Sequence, residues 1–177
     1  MMKLLIVVDY QKDFVNGSLG FPGAELLEGP IAAKIREYRL RDDAVVFTLD
    51  THEENYMETQ EGKNLPVPHC IDGTPGHALY GKIAGLVREG DKYFFKETFG
   101  SEDLFDYLRE QRGKFESIEL VGLVSNICVM SNAVLAKTAQ PETPVLVDAA
   151  CTGSGNAELN AAALAVLEGL QIQVLNK

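Results

Sequence analysis

Runs of apolar residues recur at 3–8, 44–49, 93–95, 117–121, 144–147 and 172–175. They do not alternate with polar residues, as a strand with one wet face would. Continuous valine-, isoleucine- and leucine-rich runs belong to strands covered on both faces. Between them lie helical patterns. Ile31, Ile35 and Tyr38 share one face within 30–39, with Pro30 suited to a first turn. The stretch 101–111 reads as a helix capped by Ser101, and 128–137 and 156–168 are rich in good helix formers. Strand and helix alternate along the whole chain. The pattern predicts a single α/β domain over residues 1–177, three-layered α/β/α and Rossmann-like, with a six-stranded, mostly parallel sheet and right-handed crossovers. Residues 51–81 break the pattern. Pro66, Pro68, Gly73, Pro75 and Gly76 mark them as loop, and His77 is expected to start or cap a short helix over 77–80.

Several apolar runs end in a charge: Asp9, Asp50, Lys96 and Asp148. In an open parallel sheet the carboxyl ends of strands carry the ligands, so Asp9, Asp50 and Lys96 are expected at one edge although distant in sequence. The strand at 117–121 runs into Gly122-Leu123-Val124-Ser125-Asn126-Ile127-Cys128, which places Cys128 at a helix start, with Ser125 or Asn126 as cap. A thiol there faces unpaired N–H groups and the positive end of the helix dipole, which favours a pKa below the free value of about 8.5. A small buried hydrophobe is the plainer alternative. Taken together, the residues supply thiol-based acyl transfer: Cys128 as nucleophile, Asp9 as base, Lys96 holding Asp9 and favouring the charged pair, and N–H groups of the 124–128 turn for the oxyanion.

The long loop holds all three histidines, His52, His69 and His77. Loops of such length are functional or disordered, and the histidines favour function. Asp50 and His52, with Glu61 and His69 further on, form a workable divalent site suited to zinc, manganese or iron. An excess of 26 acidic over 16 basic residues, a net charge of −10, argues against nucleic acid or an anionic membrane as partner. The opening lacks a signal-peptide pattern and no run reaches transmembrane length. Three scattered cysteines, Cys70, Cys128 and Cys151, make no disulfide framework, so a reducing cytoplasm is expected.

As an ordered set these motifs resemble the nicotinamidase and isochorismatase-like cysteine hydrolases: 5–14 ending in Asp9-Tyr10-Gln11-Lys12-Asp13-Phe14, Asp50-Thr51-His52, Pro66-Val67-Pro68-His69, Lys96-Glu97-Thr98-Phe99 and 122–129. The resemblance covers nearly the whole chain. It implies an Asp9–Lys96–Cys128 triad, a thioester intermediate, an oxyanion hole from the N–H groups of Val124 and Cys128, and a cis peptide at Leu123–Val124. It implies metal ligation by Asp50, His52 and His69, with Glu61 as a further ligand, zinc being the expected ion. It also implies a homo-oligomer. Members keeping both the cysteine and the histidines resemble metal-dependent amidases acting on nicotinamide, a small neutral amide. Phe14 and Phe99 are expected to flank a flat ring, with a place in the core as the plainer alternative. An aromatic residue usual before the histidine-motif proline is here Leu65, which leaves open an amidase acting on a non-pyridine amide. A catalytically silent binding module is the rival from another class. A dinucleotide oxidoreductase is disfavoured because no glycine-rich fingerprint follows the first strand.

Overall fold

A computed structural model describes residues 1–177. In chain order the elements are β1 (Met2–Val8), a short α1 (Lys12–Val15), α2 (Glu28–Leu40), β2 (Ala44–Asp50), the short helices α3 (Gln60–Asn64) and α4 (Gly81–Ala84), β3 (Lys92–Lys96), α5 (Glu102–Glu110), β4 (Phe115–Leu123), α6 (Met130–Ala139), β5 (Val145–Gly153), α7 (Ala157–Gly169) and β6 (Gln173–Leu175). The six strands form one sheet in the order β3-β2-β1-β4-β5-β6. The sheet is parallel throughout, so the mostly parallel expectation is met in its strictest form.

Strand β1 lies at the centre and is apolar on both sides. Leu4, Ile6 and Val8 pack with Leu104 and Leu108 of α5, Ala133 and Ala136 of α6 and Leu167 of α7. Leu5 and Val7 face the other way, with Ile31, Ile35 and Tyr38 of α2 and Ile83 of α4. Because both faces are greasy, hydrophobicity alone does not set the register of β1 against β4. Close approach does. Gly122 pairs with Val8 at φ +113°, and a β-carbon there would run into the Val8 carbonyl oxygen, so only glycine lets β4 pass. That contact brings the turn after β4 against the end of β1.

The expected helix cap is present at Ser101, whose hydroxyl accepts from Leu104 N; Asn156, expected inside its helix, instead caps it and accepts from Leu159 N. Elsewhere the chain departs from it. Strand β5 runs to Gly153, so Asp148 is not a strand end. Its carboxylate is tolerated inside the sheet because Lys34 Nζ lies 2.8 Å away and Asn176 donates to both oxygens. The same Lys34 pairs with buried Glu119 of β4 at 2.8 Å, and Tyr38 donates to that residue. His77 ends a 3-10 turn, Pro75–His77, rather than starting a helix; its Nε2 meets the Thr51 hydroxyl at 2.9 Å. The loop 51–81 folds back through His52 N to Cys70 O, and Tyr80 N to Tyr10 O.

Candidate active site

Asp9 is the first residue past β1 and has a left-handed backbone, φ +45°, rare for a non-glycine residue. Its amide donates to Thr48 O at 3.2 Å, and the Thr48 hydroxyl donates to Asp9 Oδ1 at 2.6 Å. The second oxygen is therefore free to meet Lys96 Nζ, 2.6 Å away. Lys96 closes β3, and its buried ammonium also reaches Asp50 Oδ1 at 3.0 Å, Thr98 O at 2.9 Å and Cys128 Sγ at 3.6 Å. Three sequence-predicted residues, Asp9, Lys96 and Cys128, are thus brought together by one cation.

Cys128 departs from its expected setting. It lies in a π-helical turn, Ser125–Val129, that precedes α6, with Val124 as the preceding cap. Neither Ser125 nor Asn126 caps that turn; Ser125 Oγ instead donates to Asn160 Oδ1 at 2.6 Å. The peptide between Leu123 and Val124 is cis, as the resemblance implied.

Electrostatics also correct the expectation of a lowered thiol pKa. Burial pushes the Cys128 thiol well above its ordinary value; Lys96 opposes this, but the charges of Asp9 and Asp50 add to it. Two carboxylates share one ammonium, and all three side chains are almost wholly buried. Burial likewise raises Asp9, with Lys96 pulling down and Asp50 pushing up. Burial would lower Lys96, yet Asp9, Cys128 and Asp50 hold it well above its usual range. The resting site is a charged lysine beside a thiol that resists ionising and the Asp9 carboxylate, whose proton affinity burial raises, as a base requires.

Asp50 ends β2, and its second oxygen, Oδ2, lies 3.0 Å from His52 Nε2 and 3.3 Å from His69 Nε2. Burial would raise Asp50, but hydrogen bonds with His52 and His69 and the charge of Lys96 override it and depress its pKa. His69 is raised: burial would lower it, and Asp50 and the Val67 carbonyl more than compensate. The donor atoms of Asp50, His52 and His69 all lie within 4.8 Å of one another. Donors about 2.0–2.1 Å from a tetrahedral zinc stand about 3.3 Å apart, so this spacing fits such an ion. His69 Nδ1 is bonded to Val67 O at 2.8 Å, which leaves Nε2 as the ligand atom, the arrangement metal-bound histidines adopt. Glu61 Oε1 stands somewhat further out, 3.8 Å from His52 Nε2 and 3.7 Å from His69 Nε2.

A cleft of about 430 Å³ opens beside these residues, lined by His52, Glu61, Thr98 and Phe99 among others. Phe99 is its one apolar wall. Lys96 Nζ touches both the carbonyl of Thr98, which lines the cleft, and Cys128 Sγ, so one side chain links the cleft to the thiol. Phe14 is buried with its ring 5.5 Å from that of His69. Leu65 does not line the cleft; its carbonyl accepts from Tyr56 OH at 2.9 Å.

Two supporting residues escaped the sequence reading. Thr48 orients Asp9; as the one hydroxyl inside an apolar strand it could have been noticed. Gln11, fully buried, clamps the Asp50 backbone, donating to Asp50 O at 2.9 Å and accepting from Asp50 N at 2.8 Å. Nothing in its spacing pointed to Asp50.

A thiol, a carboxyl and an ammonium at the carboxyl edge of a parallel three-layer sheet mark a cysteine hydrolase built on an α/β sheet. Comparison with known proteins narrows the class. The isochorismatase domain model matches residues 3–176, and the chain belongs to that family. It is 36% identical to a Bacillus subtilis (strain 168) protein described as an uncharacterized isochorismatase family protein, PncA, over 76% of this chain and 78% of that one. The nicotinamidase/pyrazinamidase of Mycobacterium tuberculosis (strain ATCC 25618 / H37Rv) is 28% identical over 98% of both. Among solved structures, a pyrazinamidase/nicotinamidase of Streptococcus mutans UA159 superposes with a TM-score of 0.86 at 27% identity, covering 98% of this chain and 99% of that one.

Proposed function

We propose that this chain is a metal-assisted cysteine amidohydrolase of the nicotinamidase type, converting nicotinamide and water to nicotinate and ammonia. The observation that carries the reading is the position of Lys96 Nζ, in contact with both Asp9 and Cys128. Because the thiol is protonated at rest, Asp9 takes its proton as sulfur attacks the amide carbon, and Lys96 stabilises the charge that results. The N–H groups of Val124 and Cys128 receive the carbonyl oxygen as it becomes an oxyanion. Asp9 then passes the proton to the departing nitrogen, the C–N bond breaks, and ammonia leaves a thioester on Cys128. Water attacks that thioester with Asp9 as base; the acid departs and the thiol is restored.

Asp50, His52 and His69, with Glu61 at the margin, would hold a divalent ion, zinc foremost and manganese or iron otherwise. Such an ion would act as a Lewis acid, polarising a substrate nitrogen or carbonyl. The substrate class follows the nicotinamidase relatives. A second reading, a small non-pyridine amide, draws support from the cleft walls, where Phe99 alone is apolar and Leu65 is absent. A silent binding module fits less well, because it has no use for a buried ammonium shared by carboxylates and a thiol. A homo-oligomer is supported by Leu159, Val166 and Leu170, exposed on and just after α7. A cytoplasmic setting is supported by three unpaired cysteines; no helix is long and apolar enough to cross a membrane.

The test is ammonia release from nicotinamide, pyrazinamide and aliphatic amides by metal-loaded protein, with Cys128→Ala beside it. Nicotinamide turnover that vanishes in the variant is the expected result. Turnover surviving in Cys128→Ala would end the mechanism, and activity confined to aliphatic amides would move the chain to the second reading.

A further inference from the structure

Asn132 is fully buried on α6, one turn beyond Cys128. Its amide nitrogen donates to Cys128 O at 2.8 Å and to Phe99 O at 3.1 Å, and its oxygen accepts from Ser101 N at 3.0 Å. All three partners are backbone groups. Two lie in the loop between Lys96 and α5, and the third is the nucleophile's own carbonyl. A primary amide offers two donors and an acceptor from one short side chain; aspartate lacks the donors and leucine lacks everything. Between the two clamped loop residues stands Gly100, where a β-carbon would come within 2.7 Å of Leu135 Cδ1. The loop therefore rests directly on α6.

The consequence falls on Phe99. It is 44% exposed, and it is the only apolar residue among the ten that line the cleft. A flat aromatic ligand finds one apolar wall there, and that wall's backbone is tied by Asn132. Lys96 is also held by Thr98 O of this loop, but its two ion pairs, with Asp9 and Asp50, come from outside it.

We propose that Asn132 is a positioning residue for specificity, holding Phe99 where it can receive the ring of an aromatic amide. The inference rests on the amidase reading above and deepens it: loss of Asn132 should weaken aromatic substrates more than small aliphatic ones.

The test compares Asn132→Ala, Asn132→Asp, Phe99→Ala and the double variant Asn132→Ala/Phe99→Ala. Asn132→Asp keeps the acceptor for Ser101 N but loses both donors, and thermal unfolding of every variant, with Phe99→Ala as the surface control, separates a positioning effect from failure to fold. Nicotinamide affinity is measured by calorimetry in a Cys128→Ala background, and kcat and KM for nicotinamide and acetamide with Cys128 intact. Each single variant should weaken nicotinamide binding about tenfold, the scale of losing buried hydrogen bonds. Acetamide kcat/KM should fall by a smaller factor than that for nicotinamide in every variant, and the double variant should bind nicotinamide no worse than Phe99→Ala, because both changes remove one wall. Equal losses on both amides, multiplying losses in the double variant, or no nicotinamide binding by the parent would each overturn the inference. Acetamide turnover without nicotinamide binding would sink it and leave the amidase reading standing. Nicotinamide binding without turnover of any amide would sink the amidase reading, while the affinities still judged Asn132.

Discussion

Lys96→Met should be among the most damaging single substitutions in the chain, and damaging in a pH-dependent way. The ammonium is 2.6 Å from Asp9 and 3.0 Å from Asp50, all three side chains being almost wholly buried. Methionine has a similar length and no charge, so packing is nearly conserved and two carboxylates are left facing each other without a cation. Removing one partner of a buried ion pair costs about 3–5 kcal/mol. For a domain of this size each kcal/mol moves Tm by about 2–4 °C, so a fall of roughly 6–20 °C is expected. The direction with pH follows from linkage. Burial already raises Asp9 above its ordinary value, and Lys96 is the main influence holding it down, so the variant raises it further. A carboxyl whose folded pKa is raised stabilises the fold at low pH, below the unfolded value, and loses that contribution as pH climbs through the folded value. Asp50 is depressed, partly by Lys96, and its contribution is present above the unfolded value and lost as pH falls through the folded one. Both changes make the penalty largest near neutrality and smaller in acid.

The assay is thermal unfolding of chelated wild-type and variant protein between pH 5 and 8. A Tm gap that narrows as pH falls is expected, and Asp9→Asn placed on Lys96→Met should recover part of the loss by neutralising the stranded carboxyl. A gap constant across this range, or a double variant no more stable than Lys96→Met, would refute the charge balance drawn for this site.

Alkylation should respond to the raised thiol of Cys128. Iodoacetamide labelling at that residue, followed by mass spectrometry, should climb steeply as pH rises, while buried Cys70 and Cys151, the latter pushed up to about 12, stay unlabelled in folded protein. Labelling already maximal at pH 6 would contradict this. Metal loss should lower stability: an ion at 100 times its Kd adds about 2.7 kcal/mol, so chelation should cost roughly 5–11 °C, with zinc, manganese and iron ranked by add-back. Glu61→Gln then decides the fourth position; a tenfold weaker Kd for zinc makes it a ligand, and an unchanged Kd removes it. Gly122→Ala forces a β-carbon onto the Val8 carbonyl at a positive φ and should destabilise by about 3 kcal/mol or more, read as insoluble expression or a Tm lowered by roughly 6 °C or more.

Much of the fold was legible because its causes are local. A strand such as 3–8, apolar on both faces, has no place except the middle of a covered sheet, and a charge closing such a run marks its carboxyl edge; Asp9, Asp50 and Lys96 converge for that reason. What escaped the sequence depends on contacts between distant residues. The ionisation of Cys128 follows from how many carboxylates share one ammonium, a count made only when β1, β2 and β3 lie side by side. Asp148 reads as a strand end in the sequence because its neutralising partners, Lys34 and Asn176, lie 114 and 28 residues away. The loop 51–81 is ordered by hydrogen bonds to Tyr10 and between His52 and Cys70, which no local period reveals.

Asp50 joins the two halves of the site, and this determines which substitutions are informative. Its Oδ1 meets Lys96, while Oδ2 faces both histidines, so one carboxylate serves the triad and the ion-binding group together. Replacing Asp50 removes a proposed metal ligand and also withdraws a charge from Lys96, so lost activity would not say which function failed. His52 and His69 touch Asp50 but not Lys96. Alanine at either histidine weakens metal binding while leaving the Lys96 contacts to Asp9 and Cys128 in place. If chelated wild-type protein and His69→Ala retain equal residual turnover, the ion's contribution is separable from thiol chemistry. If His69→Ala falls well below chelated wild type, the imidazole itself helps hold Asp50 in register with Lys96.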